Sequence, residues 1–171
     1  MNVPSIEETK RLLSEAEKLN PGPWINHSIL AADAARNIAS YHRDLDPEIA
    51  YILGYLHDIG SLTHSFPLKN LDSYSGNNDC NAEEFDFIKK YIARVNYSAY
   101  DELIQLCDAL TTPKGFCLLE KRLVDVGLRY GVNDLTVLKW KATFEIKRKF
   151  EDVIGRSIYE LLPGVDETTF L

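Results

Sequence analysis

The sequence predicts an all-α protein, a single-domain helical bundle, on three observations. About seven segments place apolar residues three and four positions apart, the spacing of one helix face. Several of these segments begin with residue types that cap helix N-termini. No segment of useful length alternates apolar and polar residues as a strand would. The chain has 171 residues, 45% of them hydrophobic, which is enough for one well-packed core.

The first two predicted helices are separated by a short break. Ser5 and Glu8 form a candidate capping box, which predicts the start of the first helix. The Pro-Gly-Pro run at 21–23 interrupts the helical pattern. We expect the second helix to extend from Trp24 to about His42.

The third helix is predicted to be central and buried. Asp46 before Pro47 is typical of an N-cap followed by proline at the first helical position. The following stretch, EIAYILGYLHD, is apolar almost all round, and Gly60 is well placed to end the helix. Residues 61–80 are rich in Ser, Asn, Asp and Gly and are predicted to form a long loop. Long loops in compact domains are often functional.

The second half of the chain is also predicted to be helical. Ser98 is expected to open a helix that ends near Pro113, and the tail after Gly164 is expected to fray. No segment resembles an inter-domain linker, so residues 1–171 are predicted to form one domain. The remaining helical patterns cover 81–95, 117–130, 134–154 and a short segment before Pro163, which makes 117–162 a C-terminal helical region.

Composition excludes several classes of function. The net charge is −7, which disfavours a long nucleic acid, because such binding depends on neutralising many phosphates. The three cysteines, at 80, 107 and 117, have no CxxC spacing and indicate neither a disulfide framework nor a thiolate zinc site. The first residues are polar, and no apolar run approaches the about 20 residues of a membrane span. We therefore expect a cytoplasmic protein without membrane contact.

Four polar residues lie in apolar surroundings: His27, His57, Asp58 and Asp108. Burying such groups without partners is costly, and two carboxylates near two imidazoles are typical of a shared cation. A buried histidine is more often a satisfied core residue, however, and an aspartate at a helix end is more often a cap. Spacing alone leaves both interpretations open.

As a metal site, this set has a definite chemistry. Two imidazole nitrogens and two carboxylate oxygens suit a six-coordinate divalent ion that keeps two positions open. Such an ion lowers the pKa of bound water and polarises a phosphoryl oxygen. The predicted chemistry is therefore hydrolysis of a phosphate ester.

The stretch HSILAADAARNIASYHRDLDPEIAYILGYLHDIG resembles the core of the HD-domain phosphohydrolase superfamily. The family pattern is a His on one helix, a His-Asp doublet closing the next, and an Asp on a later helix. His27, His57-Asp58 and Asp108 match it in order, and LHDIG is a common form of the doublet's surroundings. The resemblance covers about 24–112 and is specific as a combination, since the doublet alone is a weak signal.

This resemblance implies an all-helical bundle of the HD-domain type, here a small stand-alone domain. It also implies one divalent metal ion (Mn, Ni, Co, Fe, Zn or Mg) held by His27, His57, Asp58 and Asp108. The implied activity is hydrolysis of a small phosphorylated metabolite or nucleotide by a metal-activated water. Asp58 is then also the best candidate to accept a hydrogen bond from that water.

The sequence departs from some relatives within the superfamily. Cyclic-nucleotide phosphodiesterases and HD-GYP proteins carry extra histidines between the doublet and the last aspartate, and these hold a second metal. Here the interval 61–107 contains only His64, and no GYP sequence follows. We expect a mononuclear site and do not expect cleavage of cyclic dinucleotides.

Further candidates concern the proton donor and the phosphate. His64 is a candidate donor to the leaving group, a common role for histidine. Lys69, Lys114, Lys121 and Arg122 are candidate substrate-binding residues that would clamp the phosphate. Each also has an ordinary interpretation, since a loop histidine is usually a surface residue and helix cations are usually solvated.

Two other functions stay open. The chain could be a non-catalytic metal- or nucleotide-binding regulatory module, because no general acid stands out. An iron oxygenase, as in distant relatives of the fold, would need more ligands than this sequence offers. A homo-oligomer is compatible with the sequence.

Overall fold

Helices dominate the computed structural model, which describes residues 3–59, 82–94 and 96–170. Because the strands within these ranges are only two residues long, the predicted all-α fold is confirmed. The α-helices, in chain order, are α1 (Ile6–Leu19), α2 (Trp24–Ala39), α3 (Pro47–Leu56), α4 (Ala82–Arg94), α5 (Ala99–Ala109), α6 (Leu119–Tyr130), α7 (Thr136–Ile154) and α8 (Val165–Thr169), and a 3-10 helix covers Ile158–Leu161.

The predicted N-caps form, because each places a side-chain oxygen next to otherwise unpaired backbone N–H groups. The Ser5 hydroxyl accepts a hydrogen bond from the Glu8 N–H at 3.2 Å, at the start of α1. The Asp46 carboxylate accepts from the first N–H groups of α3. Ser98 and Asp101 form a reciprocal capping box at the start of α5. These caps set where three of the helices begin.

Two features of the second half differ from the sequence prediction. A small antiparallel hairpin joins β1 (Thr111–Thr112) to β2 (Gly115–Phe116), and its strands are too short to show alternation. The tail expected to fray instead forms α8, whose last carbonyls accept hydrogen bonds from the Lys121 ammonium. The prediction of a frayed tail is therefore wrong.

Other predictions are refined or lie outside the described part of the chain. Helix α2 ends at Ala39, earlier than the predicted end near His42. The predicted stop at Gly60 and the predicted loop at 61–80 lie outside the described residues. Within the described ranges, no helix has both the length and the apolar character that crossing a membrane requires.

The core is built around α2, which packs against α3 and α5. Large side chains from α5, α7 and the 3-10 helix complete this cluster, among them Leu103, Phe150 and Ile158. On its other side, α3 packs through Tyr51 and Tyr55 near Leu13 of α1. Helix α2 can serve several neighbours because its buried face consists largely of small residues, namely Ala31, Ala32, Ala34, Ala35 and Ala39.

Gly54 sets the distance between α2 and α3. A Cβ atom built on Gly54 would lie 2.7 Å from the Ala32 Cα, 2.9 Å from the Ala32 nitrogen and 3.0 Å from the Ala31 carbonyl oxygen. These are backbone atoms, which cannot rotate away as a flexible side chain can. Glycine is therefore required for the closest approach of the two helices. His57 follows Gly54 by three residues, so this contact also positions the His-Asp doublet.

We expect Gly54→Ala to destabilise the protein by about 1–3 kcal/mol, the usual range for overpacking a core. The clash with the α2 backbone outweighs the about 1 kcal/mol that alanine gains over glycine in a helix. Urea unfolding followed by circular dichroism measures the change.

Gly127→Ala in α6 is the matched control. A Cβ there meets only side-chain atoms, at 3.3 Å from Val132 and 3.5 Å from Trp140. It should be neutral or stabilising. If Gly54→Ala were as stable as Gly127→Ala, the close approach of α2 and α3 would not depend on glycine.

Candidate metal centre

Three helices bring the candidate ligands to one place. His27 lies on the first turn of α2, His57 directly follows α3, and Asp108 lies on the last turn of α5. One ligand atom from each of these three residues lies within 4.8 Å of the other two. The His27 Nε2 is 2.9 Å from the Asp108 Oδ1, and the His57 Nε2 is 3.8 Å from the same oxygen. Side chains separated by up to 81 positions thus converge closely enough for one ion to contact all three.

Asp58, the fourth predicted ligand, borders the same space. Its Oδ2 lies 3.5 Å from the His57 Nε2 and 3.9 Å from the His27 Nε2. The imidazoles are 8–9% exposed, whereas the carboxyl side chains of Asp58 and Asp108 are 40% and 45% exposed. The histidines therefore form a buried floor and the carboxylates line the opening.

The orientation of His57 is suited to holding a cation. Its Nδ1 lies 2.7 Å from the Gly54 carbonyl oxygen, which can only accept a hydrogen bond. Nδ1 therefore carries the proton, and Nε2 of the neutral ring presents a lone pair to the cluster. That Nε2 is buried and has no hydrogen-bond partner among the described residues. A buried polar atom without a partner is costly, and a bound metal ion would satisfy it. The residues present thus fit a metal.

The carboxylates and imidazoles of the cluster shift each other's pKa. Loss of solvent around the Asp108 carboxyl raises its pKa, but the hydrogen bond from His27 and the charge interactions with His27 and His57 outweigh this and hold the pKa well below its usual range. Burial lowers the pKa of His57, yet the nearby Asp108 and Asp58 carboxylates outweigh burial and raise it. Asp108 is therefore an anionic donor, and protons compete with a metal ion for the imidazoles.

Two partners of the histidines were missed by the sequence analysis. The Thr111 Oγ1 lies 3.1 Å from the His27 Nδ1, and the Gly54 carbonyl binds His57 as described above. Neither residue belongs to a motif that predicts a partner for a metal ligand. The one sequence feature that could have indicated them is their distance from the candidate ligands, since Thr111 follows Asp108 by three residues and Gly54 precedes His57 by three.

The predicted phosphate-binding residues are dispersed. Lys114 is exposed in the β1–β2 turn, where the carbonyl of the preceding Pro113 accepts a hydrogen bond from Asn26, the neighbour of His27. The Lys121 ammonium donates to the carbonyls of α8, and the Arg122 guanidinium lies 3.6 Å from Asp125. Substrate binding by these three cations stays a prediction. The other two predicted residues, His64 and Lys69, lie outside the described part of the chain.

Comparison with known proteins gave one family. Residues 24–113, which are 90 of the 171 in the chain, match the sequence model of the family described as HD domain. The matched segment begins at the first residue of α2 and ends just after β1, so it contains all four candidate ligands. Comparisons with curated proteins and with solved structures gave no match.

We expect the purified protein to contain close to one divalent metal ion per chain, because two imidazoles and two carboxylates face one space. His57→Ala should lower metal affinity by more than about 100-fold, since loss of a ligand should exceed the 10- to 100-fold cost of losing an outer partner. Elemental analysis and calorimetric titration with manganese, nickel and zinc measure both quantities.

His42→Ala is the matched control, because His42 packs on Phe150 and accepts from the Asp44 N–H. It should keep the affinity of the wild type. A wild-type protein that contains no metal and takes up none of the three ions would contradict the metal centre.

Proposed function

We propose, because the chain belongs to the HD-domain family, that it is a metal-dependent phosphohydrolase acting on a small phosphorylated metabolite or nucleotide. HD domains bind divalent metals and are generally metal-dependent phosphohydrolases. The observation that carries the proposal is the convergence of the His27, His57 and Asp108 ligand atoms, with the Asp58 carboxylate at the opening.

A divalent ion bound by these residues would supply a Lewis acid that activates water and polarises a phosphoryl oxygen. The protein's own residues prepare the reaction around it. His27 and His57 supply neutral nitrogen donors from the buried floor, and Asp108 supplies a carboxylate whose low pKa keeps it anionic. Asp58 is suited to accept a proton from the attacking water, because its carboxylate borders the cluster on the exposed side.

Charge makes the metal essential to substrate binding. Asp58 and Asp108 line the opening, and without a cation they would repel the anionic phosphate of a substrate. Two positive charges from a divalent ion offset both carboxylates. A phosphate can then approach the site even though the whole chain carries a net charge of −7.

A small substrate is favoured over a polymer. The negative chain lacks the excess of positive charge from which affinity for long nucleic acids arises. The turn that carries Lys114 is joined to the α2 end of the site through the Asn26–Pro113 hydrogen bond. We propose Lys114 as the first described cation to test for contact with the substrate phosphate.

We expect Asp58→Asn to remain folded and to lose at least about 100-fold of the phosphatase rate, a typical size for removing a charged group that stabilises the transition state. The fold should survive because Asp58 is partly exposed, and because relief of repulsion with Asp108 offsets part of the lost metal binding. A panel of nucleotides and sugar phosphates, assayed with manganese, nickel, cobalt, iron, zinc and magnesium, measures the rate.

Asp44→Asn is the control for loss of one surface charge, because the Asp44 side chain is exposed and its carboxylate pairs with the adjacent Arg43 at 3.3 Å. It should keep the wild-type rate. Full activity in Asp58→Asn would reject its catalytic role. A wild-type protein that binds metal but hydrolyses nothing on the panel would favour the non-catalytic regulatory module instead.

A further inference from the structure

We propose that Thr111 is a positioning residue that fixes the ring of His27 so that its Nε2 faces the metal. The inference rests on the proposed function only in taking His27 as a metal ligand. Thr111 is fully buried as the first residue of β1, and its Oγ1 lies 3.1 Å from the His27 Nδ1.

The hydroxyl of Thr111 has one hydrogen and more than one neighbour that can accept it. Its Oγ1 donates to the Cys107 carbonyl at 3.0 Å, the bond that threonine commonly makes to the fourth residue before it. The Asp108 carbonyl, at 3.3 Å, is a second acceptor for the same hydrogen. A carbonyl cannot donate, so the hydrogen points toward the last turn of α5. The lone pairs of Oγ1 are then left for the His27 ring.

This polarity decides which His27 nitrogen is available to a metal. An oxygen that offers only lone pairs requires the His27 Nδ1 to carry a proton. In the metal-free protein the His27 Nε2 donates a hydrogen bond to the Asp108 Oδ1, 2.9 Å away, because a carboxylate can only accept. A metal ion bound at this position would replace the Nε2 proton, and the Nδ1–H bond to Thr111 would hold the Nε2 lone pair toward the ion.

Thr111 also joins two elements that carry ligands. The hydroxyl bonds the end of α5, which holds Asp108, and the ring on α2, which holds His27. The backbone around Thr111 is held in place by the pairing of Thr111 with Phe116 and by the hydrogen bond from the Cys117 N–H to the Leu110 carbonyl at 2.9 Å. The hairpin thus supports the hydroxyl at a set distance from both helices.

Three variants test the proposal. Thr111→Val keeps the shape and removes the hydroxyl, and Thr111→Ser keeps the hydroxyl. Thr112→Val is the matched control, because the Thr112 Oγ1 accepts from the Lys114 N–H and donates to the Gly115 carbonyl within the hairpin. Calorimetric titration with manganese(II) and zinc(II) measures affinity. Proton and nitrogen-15 NMR of the zinc-loaded proteins reports, through chemical shift and exchange with water, whether the His27 Nδ1 proton is held in a hydrogen bond.

We expect the zinc-loaded wild type to show a His27 Nδ1 proton that is shifted downfield and protected from exchange. Thr111→Val should remove that protection and should weaken metal binding by about 10- to 100-fold. Thr111→Ser should restore both readouts, and Thr112→Val should change neither.

Several results would overturn the proposal. These are a His27 Nδ1 proton without protection in the zinc-loaded wild type, unchanged affinity in Thr111→Val, or an equal loss in Thr111→Val and Thr112→Val, which would assign the effect to hairpin integrity. A wild type that binds neither ion would reject the metal centre and this proposal with it. A wild type that binds zinc but hydrolyses no phosphate ester would reject only the proposed function.

Discussion

The contact between α3 and the backbone of α2 is the constraint on which the rest of the structure depends. Gly54 lies where a Cβ atom would overlap the backbone of Ala31 and Ala32. The contact brings the end of α3 to the same level as the first turns of α2, where His27 lies. The Gly54 carbonyl also orients the His57 ring. One residue thus sets both the distance between the histidine-bearing elements and the orientation of one candidate ligand.

Polar groups at the centre are tolerated because each is held by a fixed neighbour. The floor of the site consists of two nearly buried imidazoles, whose Nδ1 atoms face the Gly54 carbonyl and the Thr111 hydroxyl. Such hydrogen bonds offset the cost of burial on one side of each ring. The other side of each ring faces the carboxylates of Asp108 and Asp58, and their negative charge favours a bound cation. The packing of the imidazoles and the charge of the carboxylates therefore both favour cation binding between them.

The C-terminal half stabilises this arrangement from behind. The β1–β2 hairpin, which begins with Thr111, contacts both α2 and α8. A Cβ on Gly115 would lie 2.7 Å from the Thr168 Oγ1, so the hairpin and α8 pack closely. The Lys121 ammonium then ties α6 to the last carbonyls of α8. A segment that looked like a loose tail is thus part of the support for the ligand-bearing end of α5.

The sequence by itself determined the helical class, the helix starts at Ser5, Asp46 and Ser98, and the four residues of the candidate metal centre. These features are local or belong to a family pattern, because caps act within one turn and HD-domain ligands keep their order along the chain. Only the tertiary structure decided that Thr111 and Gly54 lie against the Nδ1 atoms of the two imidazoles and that the tail folds as α8. The Thr111–His27 contact joins residues 84 positions apart, and no periodicity or short spacing in the sequence records such a contact.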